Sequence, residues 1–279
     1  VTSPHQTISI VTPSYNQGEF IAATIESVLA QAGDFYIDYI VVDAGSTDNS
    51  VAIISSYERQ LQDGSRVVNC LGVRFRWISE ADKGQADGIN KGFSLATGSV
   101  FGWLNSDDLY APGALQQVMS LDWRKSEFCY GKGVWIACNG DELGFYPTFR
   151  PNRYSLYYQC TLCQPTVFFS RDAFERLGEL SLAYDLVFDY EYWLRGVFSG
   201  MRFSFIPALL ARSRMYRENK SLSFPVTAKR ERTALLEHYY GSLRLNRMLL
   251  FFRKLTVDNK THREVRTLLA KLEAEAPIR

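Results

Sequence analysis

The chain has 279 residues, 46% of them hydrophobic and 22% charged, with a formal net charge of +1. Such a composition supports a sizeable folded core and carries no global signal for nucleic acid or a strongly acidic partner. The charge is uneven, because residues 212–254 hold eleven Lys and Arg against three Glu, which leaves the preceding part net acidic.

Taken in order, residues 7–11, 36–42, 73–78 and 100–104 are apolar runs rich in β-branched or aromatic residues, and read as strands. Helical apolar spacing fills the gaps over 17–31, from an N-cap at Ser46 to residue 60, and over 84–96. Alternation of this kind predicts an α/β fold with a mostly parallel, Rossmann-like sheet covered on both faces. After Pro112 the pattern is less regular. Helices are expected at 115–121, 172–177 and 189–198, and strands at 128–137, 165–170 and 203–206. Beyond Pro225 a helical extension is expected over 226–252, interrupted at Gly241, and again over 262–274.

The five cysteines form no regular framework and fit free thiols in a reducing compartment. Cys160-x-x-Cys163 lacks the second ligand pair of a zinc site, and His5, His238 and His262 are scattered. Residues 1–7 lack a secretory signal pattern, and no run approaches the roughly 18–20 apolar residues of a membrane span. These features predict a cytoplasmic protein.

Ligands of such sheets bind beyond the C-terminal strand ends, where strand order reverses. Three strand ends carry polar chemistry: "PSYN" at 13–16, "DAGSTD" at 43–48 and "NSDD" at 105–108. Neither a G-x-G-x-x-G nor a P-loop follows any strand. Asp107 and Asp108 could hold a hard divalent ion beside a diphosphate, or could cap the helix near Pro112. Asp43 could accept a hydrogen bond from a nucleobase or serve its own turn, and Tyr15 could stack on a base or pack. Asp82, Asp87 and Asn90 surround the start of a helix, where carboxylates and amides suit sugar hydroxyls. A basic, aromatic-bearing segment at 242–255 could lie at the inner face of a membrane or pack on the domain.

Together "TPSYNQGEF", "IVVDAGSTDNS", "SEADKGQADGINKGFSLATGSVFGWLNSDD" and "QPTVFFSRDAFERLG…FDYEYWLR" resemble the family 2 glycosyltransferases of the GT-A fold, over about residues 7–217. The resemblance implies an inverting sugar transfer from a nucleotide diphosphate sugar, UDP-linked by default, with Mn2+ or Mg2+. The acceptor would be a saccharide or lipid-linked glycan, in surface polysaccharide biosynthesis. It implies a GT-A domain over 1–220 and a helical extension over 221–279. Pro13 and Tyr15 would line the nucleoside pocket and Asp43 would meet the base. Asp82 and Asp87 would face the donor, Asp107 would contact ribose or diphosphate, and Asp108 would hold the metal.

Asn105 stands where relatives often have Asp, and Tyr216 where many have a metal-binding His. Arg212, Arg214 and Arg217 could then supply positive charge over the diphosphate. Asp189 occupies the position of the catalytic base, with Glu191 the runner-up, although i and i+2 do not share a helix face. Trp193 could pack against a sugar or in the core, and Gln164 could touch substrate. A homo-oligomer is left open, and nucleic acid is not an expected partner. The competing readings are an inactive sugar-nucleotide binding module and a sugar-nucleotide pyrophosphorylase. The latter needs a Gly-rich basic loop that "TPSYNQGEF" does not provide.

Overall fold

The structure, a computed structural model, describes residues 6–217 and 219–241. Its elements run β1 (Thr7–Ser14), α1 (Ile21–Leu29), β2 (Ala32–Asp43), α2 (Ser50–Gln62), β3 (Asn69–Ser79), α3 (Gln85–Leu95), β4 (Val100–Trp103) and β5 (Leu109–Tyr110). They continue with α4 (Ala114–Met119), β6 (Phe128–Ile136), β7 (Glu142–Phe145), α5 (Arg153–Tyr158), β8 (Val167–Ser170) and α6 (Arg171–Leu177). The last are α7 (Phe188–Phe198), β9 (Phe203–Arg214), α8 (Lys220–Ser223) and α9 (Pro225–Tyr240).

The sheet order is β3-β2-β1-β4-β8-β6-β9-β5, with β7 beside β6. The first four strands are parallel, as their alternation with helices requires. Beyond them directions mix: β8 is antiparallel to β4 and β6, whereas β6 and β9 are parallel. Strand order reverses at β1, which has β2 on one side and β4 on the other.

Period-two alternation divides the core between the two sheet faces. Ile37, Tyr39 and Val41 of β2 join a cluster with Ile21, Ile25 and Val28 of α1. Ile40 and Val42 join another with Ile89 and Phe93 of α3, Trp193 of α7 and Leu235 of α9. Gly92 allows α3 close to the sheet, since a Cβ there would lie 2.3 Å from Val11 Cγ1.

Several boundaries differ from expectation for physical reasons. β9 continues to Arg214 instead of stopping at Ile206. Its Pro207 falls where the β6 register shifts, so the missing N–H interrupts a bulge rather than a regular ladder. The short β5, β7 and α5 were not expected. α5 is opened by Asn152, whose side chain accepts from the Tyr154 and Ser155 N–H groups. Ser46 does not cap α2, which begins at Ser50 with Asp48 Oδ1 accepting from the Ser50 N–H. α4 starts after Gly113 with no side-chain cap, so the acid pair does not cap it.

α9 ends at Gly241, in the left-handed region at φ 63°, with its N–H donating to the Glu237 carbonyl. The remainder of the helix expected to 252, the basic segment 242–255 and the helix at 262–274 lie outside the described residues. Among the described residues, no helix is long and apolar enough to cross a membrane.

Candidate active site

A cleft of about 1350 Å³ opens at the C-terminal ends of β1 and β4. The two strands pair only as far as Val11 and Trp103, and the Leu104 N–H makes a last bond to the Val11 carbonyl. Beyond that point they separate. Pro13 sits just past the separation, where its missing N–H breaks no bond to β4. The chain pattern thus creates a crevice at the point where strand order reverses.

One wall comes from Pro13, Ser14 and Tyr15, with Tyr15 59% exposed. Asn16 follows in the left-handed region at φ 51°. The turn after β2 holds this loop in place. Asn16 N–H donates to Ser46 Oγ (2.8 Å), Asn16 Oδ1 accepts from Thr47 N–H (2.9 Å), and Gly18 N–H donates to Asp48 Oδ2 (2.8 Å).

Asp43 anchors that turn. Its carboxylate is wholly buried and accepts from Gly45 N–H, Ser46 N–H, Ser46 Oγ and Ser79 Oγ. With these four bonds made, it does not present an acceptor to a nucleobase; the residue of this strand end that faces the cleft is Ala44. In this structure the Asp43 carboxylate braces the turn that holds the Tyr15 loop.

The floor is the acid loop. Thr24 of α1 donates from Oγ1 to the carbonyls of Ser106 (2.8 Å) and Asp108 (2.9 Å). Arg214 at the end of β9 is buried over the Phe20 ring, with its Cζ 4.8 Å from the ring centroid. It donates from Nε to the Asp107 carbonyl (2.9 Å) and from Nη1 to the carbonyls of Ala137 (3.1 Å) and Cys138 (2.5 Å). Arg214 is thus a clamp on the acid loop, not a cation over a diphosphate.

Arg214 N–H donates to Asp108 Oδ1 (2.8 Å), and Tyr216 OH donates to Asp107 Oδ2 (2.9 Å). Both acids line the cleft, and among the described residues no Lys or Arg forms an ion pair with either. Burial raises the Asp108 carboxyl well above its ordinary range, and the Asp107 charge adds to the effect. Burial raises Asp107 too, partly offset by the Tyr216 hydrogen bond. Burial and the neighbouring Asp107 also push the Tyr216 phenol above its ordinary range.

Two adjacent carboxylates with no direct ion-pair partner among the described residues, although the Arg214 charge acts on both, are a hard-oxygen donor set that suits Mg2+ or Mn2+. Among the described residues, no group of three or more His, Cys, Asp or Glu surrounds them. A bound ion would take its other ligands from substrate phosphate and water, as magnesium sites commonly do.

The third helix contributes a polar side. Gly84, at φ 115°, starts it; Asp82 Oδ1 accepts from the Gly84 N–H, and Gln85 Nε2 donates to Asn105 Oδ1 (2.7 Å). Asp82, Gln85 and Asn105 line the cleft. Asp87 does not. It accepts from Lys83 N–H and lies 3.7 Å from Lys91, because its position on α3 turns it toward the preceding loop. Asn90, also expected near the donor, is buried and exchanges two hydrogen bonds with the Leu180 backbone.

α7 supplies the opposite wall. Asp189 lies in its first turn, half-buried in the cleft, with Oδ1 accepting from the Tyr190 N–H (2.7 Å). Burial pushes its carboxyl up to about 6. Glu191 faces the other way, in a bidentate pair with Arg195 and accepting from Tyr239 OH. It is thus a structural residue and not a second candidate base. Trp193 is fully buried and stacks on Trp103, at 5.3 Å between centroids and 16° between planes. That stack joins α7 to the strand that ends in the acid loop.

Gln164 donates from Nε2 to the Trp103 carbonyl, and its Oε1, in the cleft lining, has no partner. Arg212 lies outside the cleft, 3.3 Å from Glu142, because alternation along β9 puts it on the opposite side from Ser213. Arg217 is exposed. The sequence reading missed Ser14, Gln17, Gln85 and the aromatic wall from α5 and α9. Of these, Gln17 and Gln85 stand inside motifs already singled out, whereas the aromatic wall had no local signal.

Solved structures with a similar fold include S. aureus TarS, residues 1–349, in complex with UDP-GlcNAc (TM-score 0.61, 16% identity, covering 92% of this chain and 78% of that one). The mannosyltransferase PcManGT of Pyrobaculum calidifontis, in complex with GDP-Man and Mn2+, is similar (TM-score 0.60, 17% identity, covering 99% and 77%). The fold is therefore the GT-A fold.

The family model described as Glycosyl transferase family 2 matches residues 9–178, and the chain belongs to that family. A PGL/p-HBAD biosynthesis glycosyltransferase of Mycobacterium tuberculosis is 28% identical over 191 residues, 67% of this chain and 68% of that protein. An uncharacterized glycosyltransferase of Nostoc sp. is 34% identical over 114 residues, 41% of this chain and 32% of that protein. The chain thus matches about a third of the Nostoc protein's length.

Proposed function

We propose that this chain transfers a sugar from a nucleotide diphosphate sugar to a hydroxyl of a saccharide or lipid-linked glycan acceptor, with inversion at the anomeric carbon. The observation that carries the reading is Asp189, a carboxylate held near pKa 6, in the same cleft as the Asp107–Asp108 pair. An inverting transfer needs one base opposite the leaving group.

The Asp189 carboxylate takes the proton of the acceptor hydroxyl. The acceptor oxygen forms its bond to the anomeric carbon as the bond to the diphosphate oxygen breaks. Asp108, with Asp107 beside it, would hold a divalent cation, which would supply neutralising charge for the diphosphate. The Tyr15 loop carries the nucleoside, and Asp82, Gln85 and Asn105 meet hydroxyls of the donor. Nucleotide-sugar complexes of the two structural neighbours support the donor class. UDP remains the default nucleotide.

The test is a panel of UDP- and GDP-sugars read by nucleoside diphosphate release, with Mn2+, with Mg2+ and with a chelator, and with NMR assignment of the product anomer. Metal-dependent release and an inverted product are expected. A retained configuration would remove Asp189 from the role of base, and full turnover in chelator would remove the metal.

A further inference from the structure

The cleft extends beyond the groups assigned to donor and base. The Cys163 thiol lies within the electrostatic reach of both Asp108 and Asp189, and the Cys160 thiol within that of Asp189 and Arg232. Arg232 of α9 lines the same cleft as the acid pair and Asp189. There the wall is aromatic: Trp135, Tyr146, Tyr157, Tyr158, Tyr190 and Tyr240 all line it. Trp135 and Tyr146 meet at 5.4 Å, and Tyr157 meets Tyr240 edge-on at 5.0 Å, which closes α5 against α9. Flat aromatic faces can stack on a sugar ring; Tyr146 and Tyr240 already donate their phenol hydroxyls to the Cys160 and Arg153 carbonyls.

Arg232 of α9 enters this wall half-buried. Its Nη2 donates to the Tyr158 carbonyl, and it reaches the Tyr190 phenol. Among the described residues, no carboxylate forms an ion pair with it. Its neighbour Glu231 instead accepts from the backbone N–H groups of Asp185 and Leu186. Lys220, on the same cleft, differs in being paired with Asp185 at 2.7 Å. A guanidinium has five donors in a planar fork that matches carboxylate and phosphate oxygens. Arg232 thus brings further donors, and a charge with no ion-pair partner among the described residues, to the cleft wall.

We propose that this wall is the acceptor subsite and that it selects a saccharide bearing an anionic group, phosphate or carboxylate, which Arg232 binds while the ring lies on the aromatic faces. The proposal rests on the reading of Asp189 as base. It assigns acceptor choice to α9, which lies after the family match ends at residue 178.

The test measures binding to the full chain by calorimetry, with UDP present at saturation to occupy the donor end. The probes are glucose, glucose 1-phosphate and glucuronic acid, against the parent, Arg232→Gln and Arg232→Lys. The parent is expected to hold one or both charged sugars at least roughly tenfold more tightly than glucose, as a hydrogen bond to a charged group provides. Arg232→Gln is expected to erase the difference, and Arg232→Lys to keep part of it, with UDP affinity unchanged in both.

A preference for the 1-phosphate points to a phosphate-bearing acceptor such as a lipid-phosphate carrier. A preference for the uronate points to an acidic glycan. Equal affinity for charged and neutral sugars, or a preference that survives Arg232→Gln, overturns the proposal. Absence of any UDP or GDP binding overturns the donor reading alone, since the charge preference can be measured without nucleotide.

Discussion

Burial holds the Asp189 carboxyl near pKa 6, and that number has two consequences of opposite sign. As a base the group must be ionised, so kcat/KM is expected to fall about tenfold per pH unit below roughly 6 and to level off above it. For stability, a carboxyl raised above its ordinary value contributes favourably at low pH and loses that contribution as pH rises through about 6. Asp189→Asn is therefore expected to reduce transfer by roughly 10²–10⁴-fold while keeping or raising Tm at pH 7. Steady-state rates across pH 5–8 and a thermal melt check both. A variant with unchanged rate, or a parent rate flat through pH 5, contradicts the assignment. Glu191, two residues on, has its carboxylate occupied by Arg195 and Tyr239.

Among the elements, the site depends on how β1, β4 and β9 end. β1 and β4 part after Val11 and Trp103, which opens the crevice, and β9 ends beneath the acid loop. Arg214 closes that arrangement by holding three backbone carbonyls from two segments. Arg214→Met keeps much of the apolar length over Phe20 but leaves those carbonyls without their donor. A loss of about 2–4 kcal/mol is expected, since unpaired buried polar groups cost about 1–3 kcal/mol each and the loop relaxes in part. Thermal unfolding measures the loss, and weaker Mn2+ dependence of turnover should accompany it. If both Tm and metal response match the parent, the clamp is not what positions the acids.

The whole molecule is tied together through α9. Leu235 is fully buried in the cluster that contains Trp103, Phe188 and Trp193. From the same helix Glu231 caps the loop before α7, and Tyr239 bonds Glu191 within α7. The helix that lines the acceptor end therefore also supports the element bearing the base. Leu235→Ala is expected to cost about 2–5 kcal/mol, the usual range for a buried leucine with a residual cavity. Because α9 holds α7, transfer should weaken well below the melting temperature. Denaturant unfolding and rates at 25 °C test this; a variant destabilised but fully active would separate α9 from the base.

What local sequence determined was periodicity and punctuation. Alternating strands and helices, with acids and amides at strand ends, marked the parallel half of the sheet and placed Pro13, Tyr15, Asn105, Asp107, Asp108 and Asp189 on one cleft. Those features depend on backbone geometry and on rigid strand termini, so they are written within a few residues. Which way a carboxylate faces was not. Asp43 was a strand-end acid like Asp108, but Ser46 and Ser79 enclose it, while the partner of Asp108 is a backbone N–H more than a hundred residues away. Arg212 and Arg214 share one face of β9, two residues apart, and differ only in their partners: Arg212 meets Glu142 of β7, while Arg214 reaches the acid loop. The aromatic residues of the cleft likewise come together only through long-range packing, since they are spread from Trp135 to Tyr240 and share no spacing. Side-chain direction and hydrogen-bond partner are set by neighbours distant in the chain, and only the tertiary structure brings those neighbours together.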